Sequence, residues 1–182
     1  DEVQFGLSLP EASSRTVYGD EDKDNNAFPI YWVNGDKVRI FSPQALEGRR
    51  NAEYQVSVDE PKNFADNLTK TGDYGVQWGD GTDKNGNVIL YDFYSLYPSG
   101  NYKLSTDGNK AENITINSMQ NIVVNGGVVK SDMEDCLMYA KTTGVAKGEV
   151  VNLQYNPITT VLMVKVKVAA NQTRTDPDKF TI

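Results

Sequence analysis

Residues 28–41 read FPIYWVNGDKVRIF, and how the chain reverses at Asn34 and Gly35 decides which of these side chains enter a core. An Asn-Gly pair between two β-rich runs is a strong hairpin signal, because glycine takes the positive φ that a tight reversal demands. A two-residue loop would set Trp32 against Lys37 and Ile30 against Arg39, leaving two large apolar groups on a charged face. A three-residue loop of Val33, Asn34 and Gly35 puts Phe28, Ile30 and Trp32 on one face with Val38 and Ile40, and turns Tyr31, Lys37 and Arg39 to water. A buried Trp removes about 150–250 Å² of surface from water, so at roughly 25 cal/mol/Å² the second register is favoured by several kcal/mol. The stretch therefore reads as a core-forming hairpin with a solvated cationic face, in preference to a ligand site.

The same alternation recurs outward along the chain. VQFGLSL (3–9) sets Val3, Phe5, Leu7 and Leu9 on one side against Gln4, Gly6 and Ser8, the pattern of a half-buried strand. A polar connection, PEASSRTVYGDEDKDNN, separates it from the 28–41 hairpin. EYQVSV (53–58) alternates again, and PKNFADNLTK reads as an irregular loop in preference to a short helix. A second Asn-Gly reversal, Asn85-Gly86, lies between YGVQWGD and NVILYDFYSLYP, and Pro98 followed by Ser99 and Gly100 stops the latter strand. ENITIN supplies another alternating piece. NIVVNGGVV holds a third Asn-Gly pair, either a short hairpin or a loop. DCLMYA and EVVNLQYNPITTVLMVKVKV read as central strands, with Val164, Val166 and Val168 facing inward and Lys165 and Lys167 marking the wet face. The closing KFTI, in which Phe180 and Ile182 begin a new alternation, reads as the first strand of a further domain.

Composition narrows the class. The chain has 182 residues, enough for one sizeable core and too few for two domains of average size. Gly, Asn, Asp and Tyr are abundant and no stretch sustains a helical period, which points to an all-β surface protein. A net charge of −7 and a sequence pI near 4.6 repel phosphate backbones and anionic headgroups, so no nucleic-acid partner is expected. There is no His, and Cys136 is the single Cys, which removes the Ser-His-Asp triad, the Cys-His dyad, the Cys/His zinc cage and any intramolecular disulfide. No apolar run reaches membrane-spanning length.

The remaining motifs with chemical content are weak. Asp20, Asp22 and Asp24 alternate as calcium ligands can, but an EF-hand loop needs Gly and a carboxylate where Asn25 and Tyr31 stand, so a solvated acidic loop is the better reading. GDGTDKNGN resembles a calcium loop in composition, and its Asn-Gly reversal already accounts for it. NGGVVKS ends like a phosphate loop but lacks the Gly before Lys130 and a following helix. Asp132, Glu134 and Asp135 fit a turn entering a strand. A glycosidase would need two carboxylates facing one another across a cleft, which spacing along the chain cannot reveal. Tyr31, Tyr54, Tyr74, Tyr97 and Tyr102 are candidates for stacking on sugar rings, against the ordinary role of half-buried strand tyrosines. Cys136 reads as a small core residue. No cofactor, metal or catalytic residue is expected, and the chain reads as non-enzymatic.

The order FPIYWVNGDKVRIFSP, VQWGD, YDFYSLYPSG, DMEDCLMYAK and a closing Val-rich strand resembles the fimbrillin-like proteins of Bacteroides and its relatives, over roughly residues 16–168. The resemblance implies β-sandwich domains of transthyretin-like type, here a two-layer antiparallel β-sandwich with long loops and at most short helices. It also implies export as a lipoprotein to the outer membrane, and assembly into fimbriae after an N-terminal segment is removed. On that reading residues 1–15 are an N-terminal strand and cleavable segment, 16–170 a fimbrillin-like domain, and 171–182 a linker and first strand of a C-terminal domain. The lipidated Cys and the C-terminal domain of the family pattern are not in this sequence. A body that loses a strand exposes unpaired backbone and an apolar groove that another subunit's strand can fill. The expected exchangeable strand is Val3, Phe5, Leu7 and Leu9, and the expected processing position is Arg15. The implied partners are other fimbrial subunits and surface glycans or proteins, with membrane contact only through a lipid anchor on the precursor. The alternative is a surface carbohydrate- or protein-binding adhesin module.

Overall fold

The computed structural model describes residues 1–10, 30–100, 103–104, 111–112, 114–115, 122–125, 128–131 and 136–158. Among these residues every regular element is a strand: β1 (Phe5–Ser8), β2 (Lys37–Phe41), β3 (Asn51–Val56), β4 (Phe64–Ala65), β5 (Leu68–Lys70), β6 (Tyr91–Tyr97), β7 (Lys103–Leu104), β8 (Ala111–Glu112), β9 (Ile122–Asn125), β10 (Val128–Ser131), β11 (Met138–Val145) and β12 (Val151–Pro157). The all-β expectation holds. The strands responsible are rich in β-branched and aromatic residues and break at Gly, Pro and Asn, as strand sterics require.

Eight strands form one sheet in the order β4-β1-β12-β11-β6-β2-β3-β5, antiparallel except for the parallel pair β1–β12. Its two edges, β4 and β5, are separated in sequence only by Asp66 and Asn67, so the sheet curls until its ends nearly meet and the molecule is barrel-like. A two-layer sandwich was expected; the hydrogen bonding instead draws a single continuous sheet with a corner. The corner is β12. Its first half, Val151–Gln154, pairs with β1, while Tyr155, Asn156 and Pro157 pair with β11, so one strand serves two directions of the sheet. A register shift in β11 between Thr142 and Val145 adds local bending.

The 28–41 stretch keeps its expected faces but not its expected pairing. Ile30, Trp32, Val38 and Ile40 are all fully buried, whereas Lys37 is exposed and Tyr31 and Arg39 are half-buried. The chain turns over Val33–Asp36, with the Asp36 amide donating to Val33 O at 3.2 Å, Gly35 at φ 95° and the Asp36 carboxylate accepting from the Val33 amide. Yet Trp32 does not pair with β2. Its backbone pairs with Lys62, while β2 lies between β3 and β6. The Gly35 amide donates to Val56 O and the Val56 amide to Asp36 O, so β3 captures the chain as it leaves the turn and no edge of β2 is left for the Trp arm.

PKNFADNLTK is not an irregular loop: it holds both edge strands, β4 and β5. Two- and three-residue strands carry too little alternation to be read from sequence. Asn85-Gly86 makes a short hairpin closed by a Thr82–Val88 bridge, and β9 and β10 pair antiparallel with Asn125 opposite Val128. β6 ends at Tyr97, immediately before Pro98, which has no amide hydrogen for the ladder. The VLMVKVKV strand, Phe28 and residues 171–182 lie outside the described residues.

The core is aromatic. Trp32 meets Tyr97 and Tyr155 edge-on at ring distances of 5.6 and 5.1 Å, and Trp78 meets Tyr91 and Phe93 likewise at 4.8 and 5.6 Å. Each such pair adds about 0.5–1.5 kcal/mol beyond the area it buries. Ser42 and Ser95 are buried as well, and the Ser95 hydroxyl bonds both Tyr155 Oη and the Arg39 carbonyl.

Candidate functional site

The N-terminal strand lies in a slot with a bonded neighbour on each side. β1 runs parallel to β12, with Phe5 opposite Val151 and Leu7 opposite Leu153, and antiparallel to β4, with Leu7 opposite Ala65 and Ser8 opposite Phe64. Further main-chain bonds extend this contact along residues 1–9: Val3 N to Val76 O at 2.9 Å, Trp78 N to Asp1 O at 3.0 Å, Val151 N to Gln4 O at 2.9 Å and Leu9 N to Asn63 O at 2.8 Å. The segment is therefore a member of the sheet, held by residues from three distant parts of the chain.

Its alternation explains what the slot holds. Val3, Phe5, Leu7 and Leu9 are all buried, and Phe5 reaches Tyr54 and Phe93 edge-on at 5.3 and 5.6 Å. At about 1.5–3 kcal/mol per buried apolar side chain, these four contribute roughly 6–12 kcal/mol before ordering costs. Gly6, on the opposite face, is buried too. The Phe64 ring lies across it, and a Cβ there would stand 2.7 Å from Asn152 Oδ1 and 3.4 Å from the ring, so a larger residue would have to displace the Asn152 side chain.

One charged contact sits at the start of the strand. Glu2 Oε1 accepts from Lys70 Nζ on β5 and, at 3.2 Å, from the Gly75 amide. The Lys70 hydrogen bond, helped by Gly75, holds the Glu2 carboxyl below its ordinary range despite a small opposing burial effect. The pair is well exposed and contributes modestly. It nonetheless ties the N-terminal segment to β5, the far edge of the sheet.

The four expected strand residues are thus brought together on one face. Arg15 lies outside the described residues, as do Asp20, Asp22, Asp24, Tyr102, Asp132, Glu134 and Asp135. Of the tyrosines considered for sugar stacking, Tyr54 and Tyr97 are buried, Tyr31 is half-buried, and the exposed Tyr74 has the Arg49 guanidinium 3.7 Å above its ring. Tyr54 donates no surface; its hydroxyl accepts the Val76 amide at 2.8 Å. Asp83, in the calcium-like loop, accepts from the Asn85 and Asn87 amides and from the Asn87 side chain, which lower its carboxyl and occupy its oxygens. Within NGGVVKS, Asn125 ends β9 and Val128–Ser131 form β10, while Gly126 and Gly127 lie outside the described residues. Cys136 is buried. No group of three or more Asp, Glu, Cys or His side chains suited to a metal exists among the described residues.

Sequence reasoning did not find β12, β4, Glu2 or Lys70 as parts of this site. Parallel pairing between the first strand and the last described one leaves no local signature, since its partners are about 146 residues apart (151 minus 5).

No family model matches the chain, and no curated protein does. It is similar to a crystal structure of a "putative cell adhesion protein from Bacteroides ovatus ATCC 8483", at 12% identity and a TM-score of 0.38, over 85% of this chain and 52% of that one. This chain therefore spans about half the length of that protein.

Proposed function

We propose that the chain is a non-enzymatic structural subunit of a bacterial surface fimbria, exported to the outer membrane, which assembles with like subunits by exchange of its N-terminal strand. The observation that carries this reading is the slot. β1 is paired on both sides, to β12 and to β4, and its apolar side chains are buried. Removing it would leave unpaired backbone on two strands and an apolar trough between them, a site that another extended segment with apolar residues at alternate positions would fill. The motif order over residues 16–168 supports the same reading.

Proteolysis after Arg15 releases β1 in this scheme and opens the slot. The test is N-terminal sequencing of subunits in native filaments, combined with electron microscopy of purified chain before and after trypsin. Subunits beginning at Thr16 and filaments only after cleavage are expected. Subunits that retain residues 1–15, or cleaved chain that stays monomeric, would end the proposal.

A further inference from the structure

We propose that a surface groove beside β4 binds a neutral oligosaccharide while β1 occupies its slot. The groove has a volume of about 720 Å³ and is bounded by Asn34, Asp59, Lys62, Phe64, Asp66 and Asn67. That volume falls within the roughly 300–1,000 Å³ of small-ligand clefts. A second groove of about 800 Å³ shares Phe64, Asp66 and Asn67 with the first and is walled by Glu2, Gln4 and Phe5 of the N-terminal segment. The two meet where the β4–β5 segment bends between the edges of the sheet.

Three features select the ligand. Phe64 is 46% exposed although it belongs to a strand, and its ring is braced from behind by Gly6, so it offers a fixed apolar plate. Around it, the side chains of Asn34, Asp59, Lys62, Asp66 and Asn67 make no hydrogen bond or ion pair among the described residues, which leaves planar amide and carboxylate edges free to bond a ligand. Two Asp against one Lys give the lining a net negative charge, within a chain of net charge −7, which disfavours phosphates and acidic sugars. A neutral sugar has an apolar C–H face and an edge of hydroxyls, the complement of one aromatic plate ringed by amides and carboxylates. A wholly apolar ligand would leave those polar groups unpaired. Two grooves joined across Phe64 suit a chain of sugars better than one ring.

The experiment is a glycan array probed with the full chain, followed by calorimetric titration of the strongest neutral oligosaccharide. Phe64→Ala and Asp59→Ala should each weaken binding at least tenfold, while Tyr74→Ala, outside the groove, should leave it unchanged. Because Phe64 also covers Gly6, a thermal melt accompanies that variant. Asp59 is exposed and its side chain is unbonded, so Asp59→Ala remains decisive if Phe64→Ala unfolds. An array with no neutral binder, a preference for acidic glycans, or undiminished binding by Asp59→Ala would overturn the proposal.

Discussion

Single side chains show how buried polar groups are settled in this aromatic core. Tyr54 Oη accepts the Val76 amide in the interior, and burial pushes its hydroxyl up to about 12, the Val76 bond opposing that rise. A raised folded-state value means that neutral Tyr54 contributes stability fully below its ordinary value of 10.0, and that this contribution is lost as pH rises from there toward about 12. Tyr97 moves the same way, through burial and then the neighbouring Asp36 carboxylate. Urea unfolding should therefore show stability falling above pH 10, and Tyr54→Phe should flatten part of that fall. At neutral pH Tyr54→Phe should cost about 1–3 kcal/mol, because it leaves the Val76 amide buried without an acceptor. Trp32 differs: its Nε1 is buried with no partner among the described residues, a cost carried by its edge-on packing against Tyr97 and Tyr155.

Between elements, Glu53 on β3 fastens the outer face of the sheet. Its carboxylate accepts from Ser99 Oγ beyond β6 and Thr71 Oγ1 beyond β5, and pairs with Lys37 and Arg39 on β2 at 3.4 and 3.8 Å. Partial burial alone would raise its carboxyl, but the bonds from Ser99, Thr71 and Lys37 outweigh burial and lower it. With the folded value depressed, the stabilisation is present above the ordinary value of 4.5 and is lost as pH falls through the lowered one. Glu53→Gln should thus lower the urea midpoint at pH 7 and converge with the parent protein in acid. Equal destabilisation at pH 7 and at pH 2 would show that the carboxylate's charge is not what matters. Because Lys37 and Arg39 serve this cluster, the cationic face read from the sequence also ties β2 to β3.

For the whole molecule, the decisive arrangement is closure. Edges β4 and β5 are supplied by adjoining residues, and β1 fills the place between β4 and β12. Leu7 sits fully buried in that slot, opposite Leu153 and Ala65. Leu7→Ala should destabilise the chain by about 2–5 kcal/mol, measured by urea unfolding, as expected for a truncated core leucine. The same variant should speed release of the N-terminal segment after trypsin, followed by mass spectrometry of the separated fragments. Loss of stability without faster release would mean that β1 leaves only when the entire sheet unfolds.

Much was legible from local patterning. A period of two places alternate side chains on opposite faces wherever a strand forms, so Val3, Phe5, Leu7, Leu9, Ile30, Trp32, Val38 and Ile40 could be assigned to the interior without knowing any partner. Gly35 and Gly86 marked reversals because only glycine takes positive φ cheaply. Tertiary structure alone decided who pairs with whom. Trp32 joined Lys62 instead of β2, β1 lay parallel to β12, and the bend at Asp66 and Asn67 brought the sheet's edges together and left Phe64 exposed between two grooves. Alternation states which face of a strand is buried, but the edge-on hydrogen bonds that choose its neighbours are the same for every residue, so pairing is settled only when the whole sheet closes.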